Sequence, residues 1–380
     1  MLIINDAIYK ISVRMYNVGK SDGSDIMLPV INNMPGGYDL LALGEVMLRL
    51  DPGDCRIRSA STFTAWEGGG EYNVAKALSS CFGMKTGIFT ALADNEVGRL
   101  VEGLMCRGKT DTSHIHWAPY DGLGASVRNG INFTERGFGV RRGLGVSDRG
   151  NTAASRITPD TFDFDAVFTS PGAAWFHTGG IFCALSPECR STASAAVKSA
   201  KKHGVNVSFD VNYRQSLMGK GTRADAMAMY DEILSYADVV FAGLDDIAAV
   251  NGLKTNDTSR PGELFGAFCE RYPGISVVAS TKRTVISASV NSWSACAYAG
   301  GKLYDAPVIE RLEILDRVGG GDAFAAGFIY GLTKFADIEL ALRYGVMHGA
   351  LTMTTPGDTS TADINQVEAL VNSKGFDTVR

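Results

Sequence analysis

Three consecutive glycines followed by a carboxylate form the sharpest chemical signal in the chain: Asp316-Arg317-Val318-Gly319-Gly320-Gly321-Asp322, running on into the small-residue stretch Ala323-Phe324-Ala325-Ala326-Gly327-Phe328. Consecutive glycines let backbone N–H groups turn inward with no Cβ in the way. A helix start behind them adds partial positive charge, so such a loop can hold phosphate oxygens. A carboxylate directly after that anion hole can accept the proton of an attacking hydroxyl, while the amides of Gly319, Gly320 and Gly321 take up charge on a transferred phosphoryl group. Asp322 is the residue so placed. Taken alone, the run reads equally well as a glycine turn with Asp322 as a helix N-cap.

Other polar groups recur at turn positions. Asp210, Asn212 and Arg214, in Asp210-Val211-Asn212-Tyr213-Arg214, follow the apolar strand 205–209. They emerge together at its carboxyl end, where open α/β sheets bind ligands. Arg214 can grip a phosphate or a carboxylate in two-pronged fashion. Arg136 and Arg149 lie on either side of the turn Gly137-Phe138-Gly139, and solvent is the commoner fate of such arginines. His114 and His116 have strand spacing, but with no third ligand nearby they read as two surface histidines. The seven cysteines are scattered and never spaced Cys-x-x-Cys, which predicts reduced thiols with neither disulfides nor zinc.

The elements that must position these groups alternate. Short apolar runs at 40–44, 85–92, 176–178, 205–209, 237–241 and 275–279 are separated by helix-length sequence such as 75–81, 95–107 and 189–203, the rhythm of a doubly wound sheet. Two segments, about 49–66 and 125–149, break that rhythm. They are rich in Gly, Thr, Phe and Arg, and read as β-stranded flaps over the sheet edge. Residues 1–38 carry turn formers without a sustained apolar period and read as an extension outside the fold, leaving one main domain over 39–375. At 380 residues and 45% hydrophobic content, the chain can bury one large core. A net charge of -5 argues against a nucleic-acid partner. No apolar run is long enough to span a membrane and the start lacks a signal-peptide pattern, so the expected location is cytoplasmic.

With the first glycine run, Trp66-Glu67-Gly68-Gly69-Gly70-Glu71-Tyr72-Asn73-Val74-Ala75, the chain resembles the ribokinase/PfkB family, and most of all its 2-keto-3-deoxygluconate kinases. The other matching pieces are Asp210 to Arg214, Asp316 to Asp322, and His348-Gly349-Ala350-Leu351-Thr352-Met353-Thr354-Thr355-Pro356-Gly357-Asp358. The resemblance implies a ribokinase-like three-layer α/β/α sandwich with a small β-stranded lid, ATP and Mg²⁺ as cofactors, a sugar acid as acceptor, and a homodimer paired through the lids. It assigns Asp322 as base and Gly69, Asn73, Asp210, Asn212 and Arg214 to the sugar, with Arg136 and Arg149 reaching the sugar's carboxylate from the flap. Asp246, Ser280, Lys282, Arg283 and His348 fall to the nucleotide.

Two positions depart from the family pattern. The usual Asn-x-x-Glu reads Gly243-Leu244-Asp245-Asp246, so Asp246 would organise magnesium through water at shorter reach, and Met218 stands where a tryptophan is usual. Three rival readings follow. The first is a kinase of the same fold for fructose, another sugar acid or a nucleoside. The second is a non-catalytic sugar- or nucleotide-binding regulator, which the intact Asp322 loop opposes. The third is a dinucleotide-dependent dehydrogenase, which fails because no glycine fingerprint follows the first strand and opens a helix.

Overall fold

A computed structural model of the protein describes residues 17–21, 24–29, 36–250 and 260–372. Its centre is a ten-stranded sheet. In spatial order, seven strands run parallel: Val277–Val285, Val239–Phe241, Asn206–Asp210, Trp175–Gly179, Leu40–Leu43, Thr86–Ala93 and Ile115–Ala118. Beyond Val277–Val285 the pairing turns antiparallel through Val290–Ala299, which also holds Lys302–Asp305 and Ile309–Glu313.

The apolar runs are continuous rather than alternating because both faces are covered. Leu40 and Ala42 join one core with the helices Gly70–Ser80, Gly320–Phe335 and Ile338–Thr352. Leu41 and Leu43 point the other way, into a second core with Pro187–Lys202, Arg223–Leu234 and Pro261–Arg271. Side chains one residue apart on a strand thus feed opposite layers, and the result is the three-layer sandwich expected. The small residues after the triple glycine serve the crossing of Gly320–Phe335 with Ile338–Thr352. A Cβ on Gly327 would lie 2.6 Å from the Tyr344 carbonyl oxygen, and one on Gly345 would lie 2.7 Å from the Phe324 ring.

The strand order reverses between Leu40–Leu43 and Trp175–Gly179. The chain moves outward through Thr86–Ala93 on one side and through Asn206–Asp210 on the other. Such a switch point opens a crevice at the carboxyl ends of the strands. Over it stands a separate four-stranded sheet in the order Thr64–Gly68, Met47–Asp51, Ile131–Glu135 and Leu144–Asp148, built from the two segments read as flaps.

The opening segment differs from expectation. Asn17–Ser21 and Ser24–Leu28 pair as an antiparallel hairpin, and Leu28 is buried in the first core. An apolar residue that close to the edge of the sheet is pulled in by burial, despite the turn formers around it. The rest of the proposed extension, apart from the residues from Gly36 onward, lies outside the described residues. None of the described helices is long and apolar enough to cross a membrane.

Candidate functional site

Between the flap sheet and the strand ends lies a cleft of about 1520 Å³. Gly69, Asn73, Arg136, Arg149, Asp210, Asn212, Arg214, Asp246, Arg283, Gly319, Gly320, Gly321 and Asp322 all line it, so residues spread over more than half the chain converge on one space. Asp322 sits in the first turn of Gly320–Phe335, where the helix dipole favours negative charge. Its Oδ2 accepts a 2.6 Å hydrogen bond from Asn73 Nδ2, and Asn73 Oδ1 accepts from the Gly69 N–H at 3.2 Å. Asn73 therefore ties the start of its own helix to the carboxylate of another. Burial raises the Asp322 pKa, while the Asn73 bond and the Arg214 charge pull it back.

The glycine loop has a steric reason for its first member. Gly319 has φ of +77°, and a Cβ there would lie 1.8 Å from the Asp358 carbonyl oxygen. The backbone at Gly69 is also closely packed, since a Cβ there would meet the Glu45 carbonyl oxygen at 1.9 Å.

Asp210, Asn212 and Arg214 leave the end of Asn206–Asp210 together. The Asn212 N–H donates to Asp210 Oδ1 at 3.1 Å, and Asn212 adopts φ of +36°, which asparagine tolerates better than most residues. Burial, reinforced by the Asp322 charge, pushes Asp210 up to about 8 against the pull of Arg214.

A third carboxyl, Glu71, was given no role by the sequence. It is wedged between strand ends: a Cβ on Gly44 would lie 2.4 Å from its Oε2, and one on Gly179 2.8 Å from its Oε1. Burial lifts it to about 7, with the Asp322 charge adding to the shift. Three acids with raised pKa values thus surround the point where the strand order reverses.

On the flap, Arg149 is ion-paired with buried Glu45, and Arg136 lies 3.4 Å from Asp51. Both face the cleft from fixed positions rather than from solvent. At the opposite end, Asp246 is paired with Arg223 and accepts from the Gly243 N–H at 3.0 Å, while Arg223 stacks 4.5 Å over the Tyr213 ring. Burial raises Asp246, and Arg223 opposes the shift. Arg283 stands near Arg317; burial first, then that neighbouring charge, depresses its pKa. The tip of the flap reaches across the mouth: the Gly139 carbonyl accepts from Ala288 N–H at 2.8 Å, and the Gly139 N–H donates to Ser289 Oγ at 3.1 Å.

Three residues expected on the nucleotide side do not line the cleft. Thr281 and Arg283 face it, so strand alternation turns Ser280 and Lys282 to the other side. Lys282 pairs there with Asp305 at 2.5 Å, and Ser280 is buried. His348 has no exposed surface; its Nδ1 lies 2.7 Å from the Ala323 carbonyl oxygen, and burial lowers its pKa to about 4. It is a neutral core histidine under the helix that carries Asp322.

A cradle without Cβ obstruction, backed by a helix start and flanked by Arg283 and Arg317, fits a nucleotide polyphosphate. Among the described residues no group of three or more His, Cys, Asp or Glu is arranged to hold a metal ion directly.

The sequence profile of pfkB family carbohydrate kinases matches residues 39–365. A 2-dehydro-3-deoxygalactonokinase of Haloferax volcanii is 30% identical over 88% of this chain and 96% of its own length. A 5-dehydro-2-deoxygluconokinase of Bacillus thuringiensis is 26% identical over 84% of this chain and 90% of its own. The crystal structure of a 2-dehydro-3-deoxygluconokinase from Thermotoga maritima superposes with a TM-score of 0.81 at 31% identity, covering 89% of this chain and 99% of that one. Both glycine runs lie inside the matched span, and the chain belongs to the pfkB family of carbohydrate kinases.

Proposed function

We propose that the protein transfers the γ-phosphoryl group of ATP to a hydroxyl of a 2-keto-3-deoxy sugar acid, with 2-keto-3-deoxygluconate, giving its 6-phosphate, as first choice. The observation that carries this reading is the Asn73–Asp322 pair at the head of the glycine-loop helix, with Arg214 and Arg149 lining the same cleft. The named relatives act on deoxy keto sugar acids or their isomers, which fits a cleft with fixed cations for a carboxylate.

In this mechanism Asp322 takes the proton from the sugar hydroxyl as its oxygen forms a bond to the γ-phosphorus and the bond to the β-phosphate oxygen breaks. The N–H groups of Gly319, Gly320 and Gly321 face the charge that builds on the transferred group. Mg²⁺ brought with ATP supplies further neutralisation of the phosphates. Asp246, which lines the cleft, is the residue that would hold the ion through water. Burial of Asp322 brings its pKa closer to the working pH, which favours a general base.

The test is ADP release by purified protein against 2-keto-3-deoxygluconate, 2-keto-3-deoxygalactonate, fructose, ribose and adenosine. Preference for either sugar acid supports the reading, and the ratio between those two fixes the configuration recognised at C4. Preference for a neutral sugar would remove the sugar-acid assignment, and silence across the panel would favour a regulator. Asp322→Asn is expected to lower kcat by about 10²–10⁴-fold; near-normal turnover would overturn the assignment of the base.

A further inference from the structure

Arg49 has no exposed surface, sits on the flap strand Met47–Asp51, and is bonded to two loops of the main domain. Its Nη1 donates to Asp358 Oδ1, and its Nη2 donates to Asp316 Oδ2 and, at 3.2 Å, to Asp51 Oδ2. Asp316 opens the glycine loop. Its Oδ1 also accepts from the Val318 N–H at 3.2 Å, and its Oδ2 from the Gly357 N–H at 3.3 Å. Asp358 in turn touches the loop from the other side, because its carbonyl oxygen fills the space where a Cβ on Gly319 would stand. Its carboxylate likewise fills the space of a Cβ on Gly68, at the end of the flap strand Thr64–Gly68. One guanidinium therefore lies at the meeting point of the flap, the anion hole and the loop that backs it.

A fully buried ion cluster of this kind is a poor way to gain stability, since desolvation offsets most of the attraction. What it does supply is fixed direction. Two separate Nη atoms hold two carboxylates on two different loops, and the planar fork allows only one arrangement, whereas an ammonium is a point charge on a flexible stem. We propose that Arg49 is a positioning residue. It locks the flap strand to the glycine loop and sets the direction in which the amides of Gly319, Gly320 and Gly321 face. The geometric part stands on the contacts above; its kinetic consequence rests on the phosphoryl-transfer reading.

Hydrogen exchange by mass spectrometry on the full chain reads the geometric part without any substrate. In Arg49→Lys, the amides of Val318 and Gly357, which donate to Asp316, exchange faster, while those of the central strand Trp175–Gly179 keep their protection. In Arg49→Ala, which leaves the side-chain space empty, the same amides are restored to protection by millimolar free guanidinium and not by sodium chloride at equal ionic strength. Asp51→Asn leaves both clamped loops protected. In turnover, Arg49→Lys lowers kcat by about 10²-fold with sugar KM within about threefold of the parent value, the pattern of an interaction used in the transition state. Unchanged exchange at those amides overturns the proposal, as does faster exchange with unchanged kcat, or loosening by Asp51→Asn as great as by Arg49→Lys. Should Arg49→Lys unfold the chain throughout, Asp316→Asn applies the same comparison from the other end of the bond, with the same outcomes. A parent protein that turns over no sugar acid would refute the proposed function, while the exchange data would still judge the clamp.

Discussion

The carboxylate of Asp322 is governed by one neighbour more than any other. Asn73 donates to its charged form and so lowers a pKa that burial raises. In the proposed mechanism Asp322 accepts a proton only when deprotonated, so kcat/KM is expected to fall as pH drops through that raised value. Removing the donor raises the pKa further. Asn73→Ala is therefore expected to move the acid limb of the pH–rate profile to higher pH, besides lowering kcat; an unmoved limb would show that the bond does not tune the base. That Asp322, Asn73 and the three glycines meet in one cleft was legible in sequence because each lies within a short glycine run of recognisable spacing. Glu71 lay in the same run and was passed over. Its role depends on the space left by Gly44 and Gly179 at the ends of two other strands, which only the folded sheet brings together. Arg49 and Arg223 were missed for the same reason, since their partners Asp316, Asp358 and Asp246 come from distant segments.

Alternation along the strand Val277–Val285 decides which of its residues face the cleft proposed for the nucleotide. The apolar run ends at 279 in the sequence, which puts Lys282 and Arg283 beyond the strand; pairing with Val290–Ala299 carries the strand on to Val285, and the register with that strand and Val239–Phe241 sets the direction of each side chain. The expected outcome is a contrast between adjacent residues. Lys282→Ala leaves the ATP KM within about twofold, whereas Arg283→Ala raises it by about tenfold, the loss of one charge-assisted contact. Equal effects from the two would mean that the strand does not present its alternate face to the nucleotide. Helices were legible to within a few residues where helix-length sequence separates two apolar runs, as with 95–107 against Glu96–Cys106 and 189–203 against Pro187–Lys202. The hairpin of the opening segment carried no such mark.

At the scale of the molecule, two cores back one sheet, and acids collect where the strand order reverses. Asp210, at about 8, and Glu71, at about 7, both hold protons more tightly folded than unfolded. The sign follows by linkage: their contribution to stability is full below their ordinary values and is lost as pH rises toward 7 and 8. Melting of the ligand-free protein should therefore fall between about pH 5 and 8 by more than it does in Asp210→Asn, which cannot ionise, and at about pH 8 the variant should melt higher by about 2 °C. Parallel melting curves for the two proteins would contradict the buried charge.

The contact of Gly139 with Ala288 and Ser289 ties the flap to the turn between Val277–Val285 and Val290–Ala299, closing a ring at the rim of the cleft. Two hydrogen bonds worth about 1 kcal/mol each keep such a ring closed roughly thirtyfold more often than open. A sugar inside is thereby held captive, though not sealed in, and its chance of escape before reaction is set by how often the ring parts. Isotope trapping measures that chance directly: labelled sugar bound first, then chased with ATP and excess unlabelled sugar, should be converted less often in Ser289→Ala than in the parent protein.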